Sequence, residues 1–380
     1  MRRQRSEVQT LAELVELLHT GASLTGRRLQ GLDLRTVEAT LMRHTDLDGL
    51  VVLGGTLSPE LERHLRTHGA LVFPSDPAIP VDPYRGHLYT ADELYAGLAE
   101  HGYPATPDAR AYHWSLDRRT SRDIYATLLR AIHDDAMTDA LDEWLDALPV
   151  VGVMGGHAVR RGTGEYAAAA RLGHRLAEAG LVVATGGGPG AMEASNLGAA
   201  ARDTTALEQA LVALGEVPGW DHDVTGWAAS ALAVRDRLLP GTDGHGIPER
   251  PRSVGIPTWY YGHEPSNVFP DAVAKYFSNA LREDGLLARC TAGIIVLPGA
   301  AGSAQEIFQT ATRLYYATES DPVPPLVLVG ERQWTETVPV WPALRALGEG
   351  RRMGGAIRLV GDVDEAAEVV LATAPPQPGA

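Results

Sequence analysis

The stretch Thr185–Ala194, which reads TGGGPGAMEA, decides the fold, because it is a glycine-rich turn between a predicted strand and a predicted helix. Turns of this kind lie at the edge where open α/β sheets bind ligands. The stretch contains a G-x-G-x-x-A match at Gly186, Gly188 and Ala191. A dinucleotide-binding motif also needs an acidic residue at the tip of the next strand, where it binds the ribose, and no such residue follows here. The match alone is therefore weak evidence for a dinucleotide site. A tight turn without a ligand is the alternative interpretation.

A repeated strand-then-helix pattern surrounds this turn and predicts an α/β domain over residues 149–374, with a parallel sheet and helices on both faces. The predicted strands are 150–154, 181–184, 253–256, 292–297, 326–329 and 357–360. The predicted helices are 165–179, 191–201, 271–282, 303–317 and 335–347. Residues 203–250 are predicted to be an insertion with two helices, which serves as a lid or an oligomer contact.

Residues 1–148 are predicted to form a smaller N-terminal α/β module that ends in a long connecting helix at about 119–148. Its elements are a helix at 7–19, a strand at 50–53, a helix capped by Ser58 and a strand at 70–73. The proline-rich end, 375–380, is predicted to be a flexible tail.

Composition excludes several classes of function. The 380-residue chain has a net charge of −15, which disfavours nucleic acid and anionic membranes as partners. Lys275 is the one lysine in the sequence, so neither a P-loop nor a pyridoxal enzyme is expected. The one cysteine, Cys290, cannot form an internal disulfide, and no cluster with metal-ligand spacing is present. We therefore expect a cytoplasmic protein without a membrane span, a metal or a cofactor.

A second glycine loop, Leu297–Glu306, has the sequence LPGAAGSAQE and also joins a predicted strand to a predicted helix. Free backbone N–H groups and the helix dipole at such a point can hold a phosphate. Ser303 and Glu306 also match a capping box, which is the purely structural interpretation. Gly155 and Gly156 follow the first strand and add a third glycine turn at the same predicted edge.

Together, GGGPGAME and the later P-G-x-x-G-[S/T]-x-x-E motif resemble the LOG family of nucleotide-binding Rossmann proteins over roughly residues 149–370. The resemblance implies a Rossmann-like fold and hydrolysis of the N-glycosidic bond of nucleoside 5′-monophosphates, such as AMP, to a free base and ribose 5-phosphate. It places the catalytic glutamate at Glu306 and the catalytic arginine at Arg282, with Arg289 as the other candidate. The substrate-binding residues that we expect are Gly155, Gly156, Gly187, Gly188, Met192, Glu193, Pro298, Gly299, Gly302 and Ser303.

The residue types suit this chemistry. An oxocarbenium-like ribose needs a nearby carboxylate and an oriented water, which Glu306 would supply, while Arg282 would hold phosphate or orient Glu306. Ala300 stands where the family usually has glycine, so its methyl group could crowd a ligand. Two alternatives stay open: a non-catalytic nucleotide-binding or cofactor-carrier protein, and a DNA-processing type that binds single-stranded DNA. We expect a homodimer or homotetramer; the base preference is left open.

Overall fold

The computed structural model describes residues 7–117, 119–238, 251–260 and 264–374. It divides the chain into two compact units. The first unit comprises the described parts of Met1–His87 and Asp117–Ala140, and the second those of Leu88–Leu116 and Leu141–Ala380. The sequence predicts one boundary near Pro149, whereas the chain leaves the first unit after His87 and returns to it at Asp117. The predicted tail at 375–380 and the end of the predicted insertion, 239–250, lie outside the described residues.

The strands are β1 Glu7–Val8, β2 Arg28–Gln30, β3 Val51–Leu53, β4 Leu71–Phe73, β5 Val150–Met154, β6 Val182–Thr185, β7 Ser253–Gly255, β8 Ala272–Val273, β9 Gly293–Val296, β10 Leu326–Val329 and β11 Ile357–Val360. The helices are α1 Leu11–Thr20, α2 Glu38–Leu41, α3 Pro59–Thr67, α4 Ala91–Leu94, α5 Leu98–His101, α6 Pro107–Leu116, α7 Ile124–Trp144, α8 Gly164–Glu178, α9 Ala191–Ala200, α10 Thr204–Gly215, α11 Val224–Leu238, α12 Asn279–Arg289, α13 Ala301–Tyr316, α14 Trp341–Gly348, α15 Arg352–Ala356 and α16 Val363–Thr373. Within the described ranges, no helix is long and apolar enough to cross a bilayer.

The first unit contains a four-stranded parallel sheet in the order β1-β2-β3-β4. Leu14, Leu34 and Leu61 are fully buried in its core, and they come from the helical segments that connect the strands. The Ser58 hydroxyl accepts a hydrogen bond from Leu61 N–H at 3.0 Å, which confirms the predicted cap of α3. The helix predicted at 7–19 is wrong at its start, because Glu7–Val8 is strand β1 and α1 begins at Leu11. Strand β2 was not predicted, because its sequence, Arg-Leu-Gln, contains no apolar run.

The second unit contains a seven-stranded parallel sheet in the order β11-β10-β9-β5-β6-β7-β8. Strands β5, β6, β9 and β10 are buried along their whole length, as expected for a sheet covered on both faces. Helices α8, α9 and α16 pack together on the sheet, and α12, α13 and α14 form a second group. The predicted Rossmann-like α/β fold is therefore confirmed. The strand order reverses at β5 and β9, which is the switch point where such sheets bind ligands.

One predicted helix of this unit is wrong at its start. The sequence indicates a helix over 271–282, but Ala272–Val273 is edge strand β8, and α12 begins at Asn279 after a Ser278 cap. Val273 exchanges backbone hydrogen bonds of 2.8 and 2.9 Å with Tyr89, from the segment 88–116. This partner is distant in sequence, so local periodicity could not reveal it.

A buried polar cluster fixes the segment 88–116 within the second unit. The Lys275 ammonium lies 2.6 Å from Asp108 Oδ1 and donates to Ser266 Oγ at 2.9 Å. Asp108 also accepts hydrogen bonds from the Trp259 indole at 2.9 Å and the Tyr103 hydroxyl at 2.8 Å. The Lys275 and Asp108 side chains are 1% and 0% exposed. Each charge is therefore compensated inside the protein, as burial requires.

Candidate functional site

Three loops meet at the carboxyl ends of β5, β6 and β9, and backbone hydrogen bonds join them. Gly156 N–H donates to Pro298 O at 3.3 Å, and Ala191 N–H donates to Gly156 O at 3.1 Å. Gly190 has a φ of 75°, and a Cβ there would lie 2.5 Å from Gly156 O. Only glycine therefore permits this close approach of the loop after β6 to the loop after β5.

A cleft of about 870 Å³ lies above these loops, and it gathers most of the predicted site residues. The predicted residues that line it are Gly155, Gly156, Gly188, Met192, Arg282, Pro298, Gly299, Gly302, Ser303 and Glu306. Gly187 and Glu193 are not among its lining residues.

The second glycine loop ends in a helix start that has no side-chain cap. Helix α13 begins at Ala301, and the capping position, Ala300, makes no side-chain hydrogen bond. Ser303 lies inside the first turn, so the capping-box interpretation of Ser303 and Glu306 is wrong. The first N–H groups of a helix have no partner within the helix, and those of α13 lie at the cleft. The arrangement suits an anion.

Close packing explains the glycine at 299 and tolerates the alanine at 300. A Cβ at Gly299 would lie 2.1 Å from Ser303 Oγ, so a side chain there would displace this buried hydroxyl. Ala300 has a φ of −117°, which is ordinary for alanine, and its side chain is exposed at the cleft. The departure from the family motif at Ala300 thus causes no backbone strain.

Arg282 and Glu306 lie close together at the cleft. Arg282 Nη1 lies 3.7 Å from Glu306 Oε1, and Arg282 Nη2 lies 4.0 Å from Glu283 Oε1. Arg282 is 9% exposed, and its buried Nε has no hydrogen-bond partner among the residues that the structure describes. By contrast, Arg289 donates to Asp142 at 2.8 Å and does not line the cleft. The geometry therefore favours Arg282 over Arg289 as the arginine of this site.

Electrostatics place Glu306 near the midpoint of its titration at neutral pH. Burial raises the pKa of Glu306, the Arg282 guanidinium opposes this shift and the Glu283 carboxylate adds to it, and together they bring the pKa to about 7. A carboxyl group with this pKa can accept a proton and also release one near pH 7. Glu283, which no sequence motif indicates as a site residue, also accepts a hydrogen bond from the Gln305 amide.

Glu193 has a structural partner instead of a place in the cleft. It forms a salt bridge with Arg161, and both side chains are 1% exposed. Arg161 also donates to Trp227 O at 3.2 Å and Ser230 Oγ at 2.9 Å, both in α11. The structure therefore pairs Glu193 with Arg161 and does not place it among the residues that line the cleft. The pair connects the start of α9 to the insertion.

Gly187 likewise supports the loop from outside the cleft. Its φ is 68°, and a Cβ there would lie 2.6 Å from Pro257 Cδ. Gly187 N–H donates to Thr185 Oγ1 at 3.0 Å, and Gly187 O accepts from Asn267 N–H at 2.9 Å. The structure therefore gives Gly187 a place in the turn and does not bring it to the cleft.

Two more groups that the sequence did not indicate stand at the cleft. Glu264 Oε1 lies 3.3 Å from His157 Nδ1, and both residues line the cleft. Asn267 holds the Glu264 segment against the first glycine loop, because its amide donates to Gly188 O at 3.1 Å. No spacing rule connects these residues, since His157 follows β5 whereas Glu264 and Asn267 follow β7.

The second unit is a doubly wound parallel sheet with three glycine loops and an arginine–glutamate pair at its switch point. This gives it a Rossmann-like α/β fold that is similar to that of LOG and SLOG proteins. Comparison of the sequence with family models gives a match in the central part of the chain, where residues 148–207 match the model of the SLOG cluster4 family. That match covers β5 to the start of α10 and includes the first glycine loop.

Among solved structures, the chain is similar to a molybdenum cofactor binding protein from Rippkaea orientalis, at 15% identity and a TM-score of 0.36. The match covers 60% of this chain and 98% of that one. It is also similar to the molybdenum cofactor carrier protein from Chlamydomonas reinhardtii, at 15% identity and a TM-score of 0.34, with the same coverage. These TM-scores are too low to bear on function. No curated protein sequence matches the chain.

Proposed function

We propose that the protein hydrolyses the N-glycosidic bond of a nucleoside 5′-monophosphate to a free base and ribose 5-phosphate. The meeting of Arg282 and Glu306 beside the uncapped start of α13 carries this proposal. One cleft thereby combines an anion-binding helix end with a carboxyl group that titrates near neutral pH.

The phosphate would bind at the second glycine loop. Free N–H groups in the first turn of α13 and the Ser303 hydroxyl offer several donors, and the helix dipole adds positive potential. Arg282 adds a guanidinium that lies 3.7 Å from the Glu306 carboxylate and 4.0 Å from the Glu283 carboxylate. The sugar would then lie between this loop and the first glycine loop, against Met192.

Hydrolysis needs a water, a proton acceptor and stabilisation of a positively charged sugar. In the proposed step, water attacks C1′ while the C1′–N bond breaks and its electron pair stays on the base nitrogen. Glu306 accepts the water proton, and its negative charge stabilises the oxocarbenium-like ribose. The base takes up a proton as it leaves. Arg282 orients the Glu306 carboxylate or contacts the phosphate.

The charged side chains of the cleft bear on whether its ligand is a nucleotide or a DNA strand. Four carboxylates line it, from Glu165, Glu264, Glu283 and Glu306, against the guanidinium groups of Arg160 and Arg282. This balance favours a ligand with one phosphate over a polyanion such as a DNA strand. A non-catalytic nucleotide-binding or carrier protein needs the same phosphate loop but not a titrating carboxyl group, so turnover distinguishes the two.

The test is to incubate the purified protein with AMP, GMP, CMP or UMP, and with the matching nucleosides, and to follow the free base by chromatography. We expect base release from at least one monophosphate and none from its nucleoside. Glu306→Gln should abolish release but retain nucleotide binding. Glu165→Gln, which removes an exposed carboxylate of the same cleft, is the matched control. Binding without turnover in the unaltered protein would support the carrier alternative.

A further inference from the structure

A second, smaller cavity of about 260 Å³ lies beside the cleft. Its walls are the loop His157–Arg161 and the connector Pro218–Asp221 between α10 and α11. His157–Arg160 also line the cleft, so one loop segment borders both cavities. The proposed hydrolysis uses no residue that lies only in this second cavity.

Hydrogen bonds, an ion pair and a cation–π contact hold the inner part of this cavity in place. Arg161 N–H donates to Pro218 O at 3.1 Å, which holds the loop against the connector. The Arg161 guanidinium lies over the Trp227 ring, 4.7 Å from its centroid, and pairs with buried Glu193. Trp227 is 1% exposed. Because these groups satisfy one another, the cavity keeps its shape without a ligand.

The outer part offers groups that a flat polar ring can use. Trp220 is half-buried and is one of the residues that line the cavity. Arg160 and Asp221 stand beside it, 3.1 Å apart, with side chains 55% and 44% exposed. An ion pair this exposed contributes little, so a ligand can replace one partner at small cost. A tryptophan, a guanidinium donor and a carboxylate acceptor thus line the same cavity.

We propose that this cavity binds a planar nitrogen heterocycle of the nucleobase class, at a site separate from the cleft. An aromatic ring would stack on the Trp220 indole. Its edge would accept a hydrogen bond from Arg160 and donate one to Asp221, the alternation of donors and acceptors that nucleobase edges present. The volume is below the range of drug-sized pockets and suits a single ring system rather than a whole nucleotide. The proposal does not depend on the proposed hydrolysis.

The test measures binding of free adenine, guanine and cytosine by calorimetry and by quenching of tryptophan fluorescence. We expect at least one base to bind, and Trp220→Ala to weaken its binding roughly tenfold or more, as loss of a stacking indole does. Trp341→Ala removes a tryptophan at the start of α14 that lines neither cavity, and it should leave the affinity unchanged. Asp221→Asn keeps the shape of the site and should change the order of preference among the bases.

Three results would overturn the proposal. The first is that no base binds the unaltered protein at millimolar concentration. The second is that Trp220→Ala binds the base as tightly as the unaltered protein, because such a base would be in the cleft. The third is that Asp221→Asn leaves both affinity and preference unchanged; this variant decides the matter if Trp220→Ala fails to fold. Base release from monophosphates, measured separately, would be unaffected by any of these outcomes.

Discussion

Replacing Glu306 by glutamine should stabilise the protein at alkaline pH. Burial raises the pKa of this carboxyl group from 4.5 to about 7, so ionised Glu306 is disfavoured in the folded state. Each pKa unit corresponds to about 1.4 kcal/mol, which gives a cost of about 3 kcal/mol above pH 7. Below pH 4.5 the Glu306 carboxyl group is protonated in both the folded and the unfolded protein, so the free-energy cost of burying its charge disappears. Glutamine resembles the protonated acid, so the variant avoids the cost at every pH.

The assay is thermal unfolding of both proteins at pH 5 and at pH 8. At pH 8 the Glu306→Gln variant should unfold roughly 6 °C higher or more, since 1 kcal/mol shifts the midpoint by about 2–4 °C in a domain of this size. At pH 5 the free energies of unfolding should differ by less than about 1 kcal/mol. Glu165→Gln should show no such pH-dependent gain. Equal midpoints for Glu306→Gln and the unaltered protein at pH 8 would refute the desolvation argument and the role of Glu306 as a proton acceptor.

Three further predictions concern the other polar groups. Arg282→Ala should lower base release about 100-fold, the scale of losing one electrostatic contact to a transition state, whereas Arg289→Ala should leave the rate within a factor of about two. Ser303→Ala should weaken monophosphate binding about tenfold in calorimetry, by loss of a hydrogen bond to a charged group, without changing nucleoside binding. Glu193→Gln should lower the free energy of unfolding by about 3 kcal/mol in urea titrations, because it leaves Arg161 charged and buried without its partner. Full activity of Arg282→Ala would contradict the first prediction. An unchanged monophosphate affinity of Ser303→Ala would contradict the second, and an unchanged urea midpoint of Glu193→Gln would contradict the third.

The strands of the second unit were the most predictable part of the fold. Strands β5, β10 and β11 begin and end at the predicted residues, because short apolar runs between turn residues are a strong signal. Edge strand β8 was not predictable, since Ala272–Val273 is fixed by β7 and by a contact with distant Tyr89. The two-residue strand β1 was missed for the same reason, because its pairing with β2 is a tertiary contact.

The sequence predicts the glycine loops of the candidate site, but it does not predict which charged side chains pair with one another. Arg282 and Arg289 lie about two turns apart on one face of α12, so helical periodicity alone could not choose between them. Their positions along the helix decide the matter, because Arg282 lies in the first turn, at the cleft. The partner of Glu193 could not be foreseen either, since Arg161 comes from the loop after a different strand. Pairings of buried charges depend on the folded arrangement of distant segments.

The buried position of Lys275 gives the protein an internal reporter of opening. The sequence contains no other lysine, and the Lys275 ammonium is enclosed by Asp108, Ser266 and the Trp259 ring. Burial also lowers the pKa of Lys275, although the Asp108 carboxylate opposes this shift. An amine-directed acylating reagent can therefore reach this ε-amine only when the cluster separates. The rate at which that single side chain becomes labelled, read by mass spectrometry, measures how often the segment 88–116 detaches from the sheet.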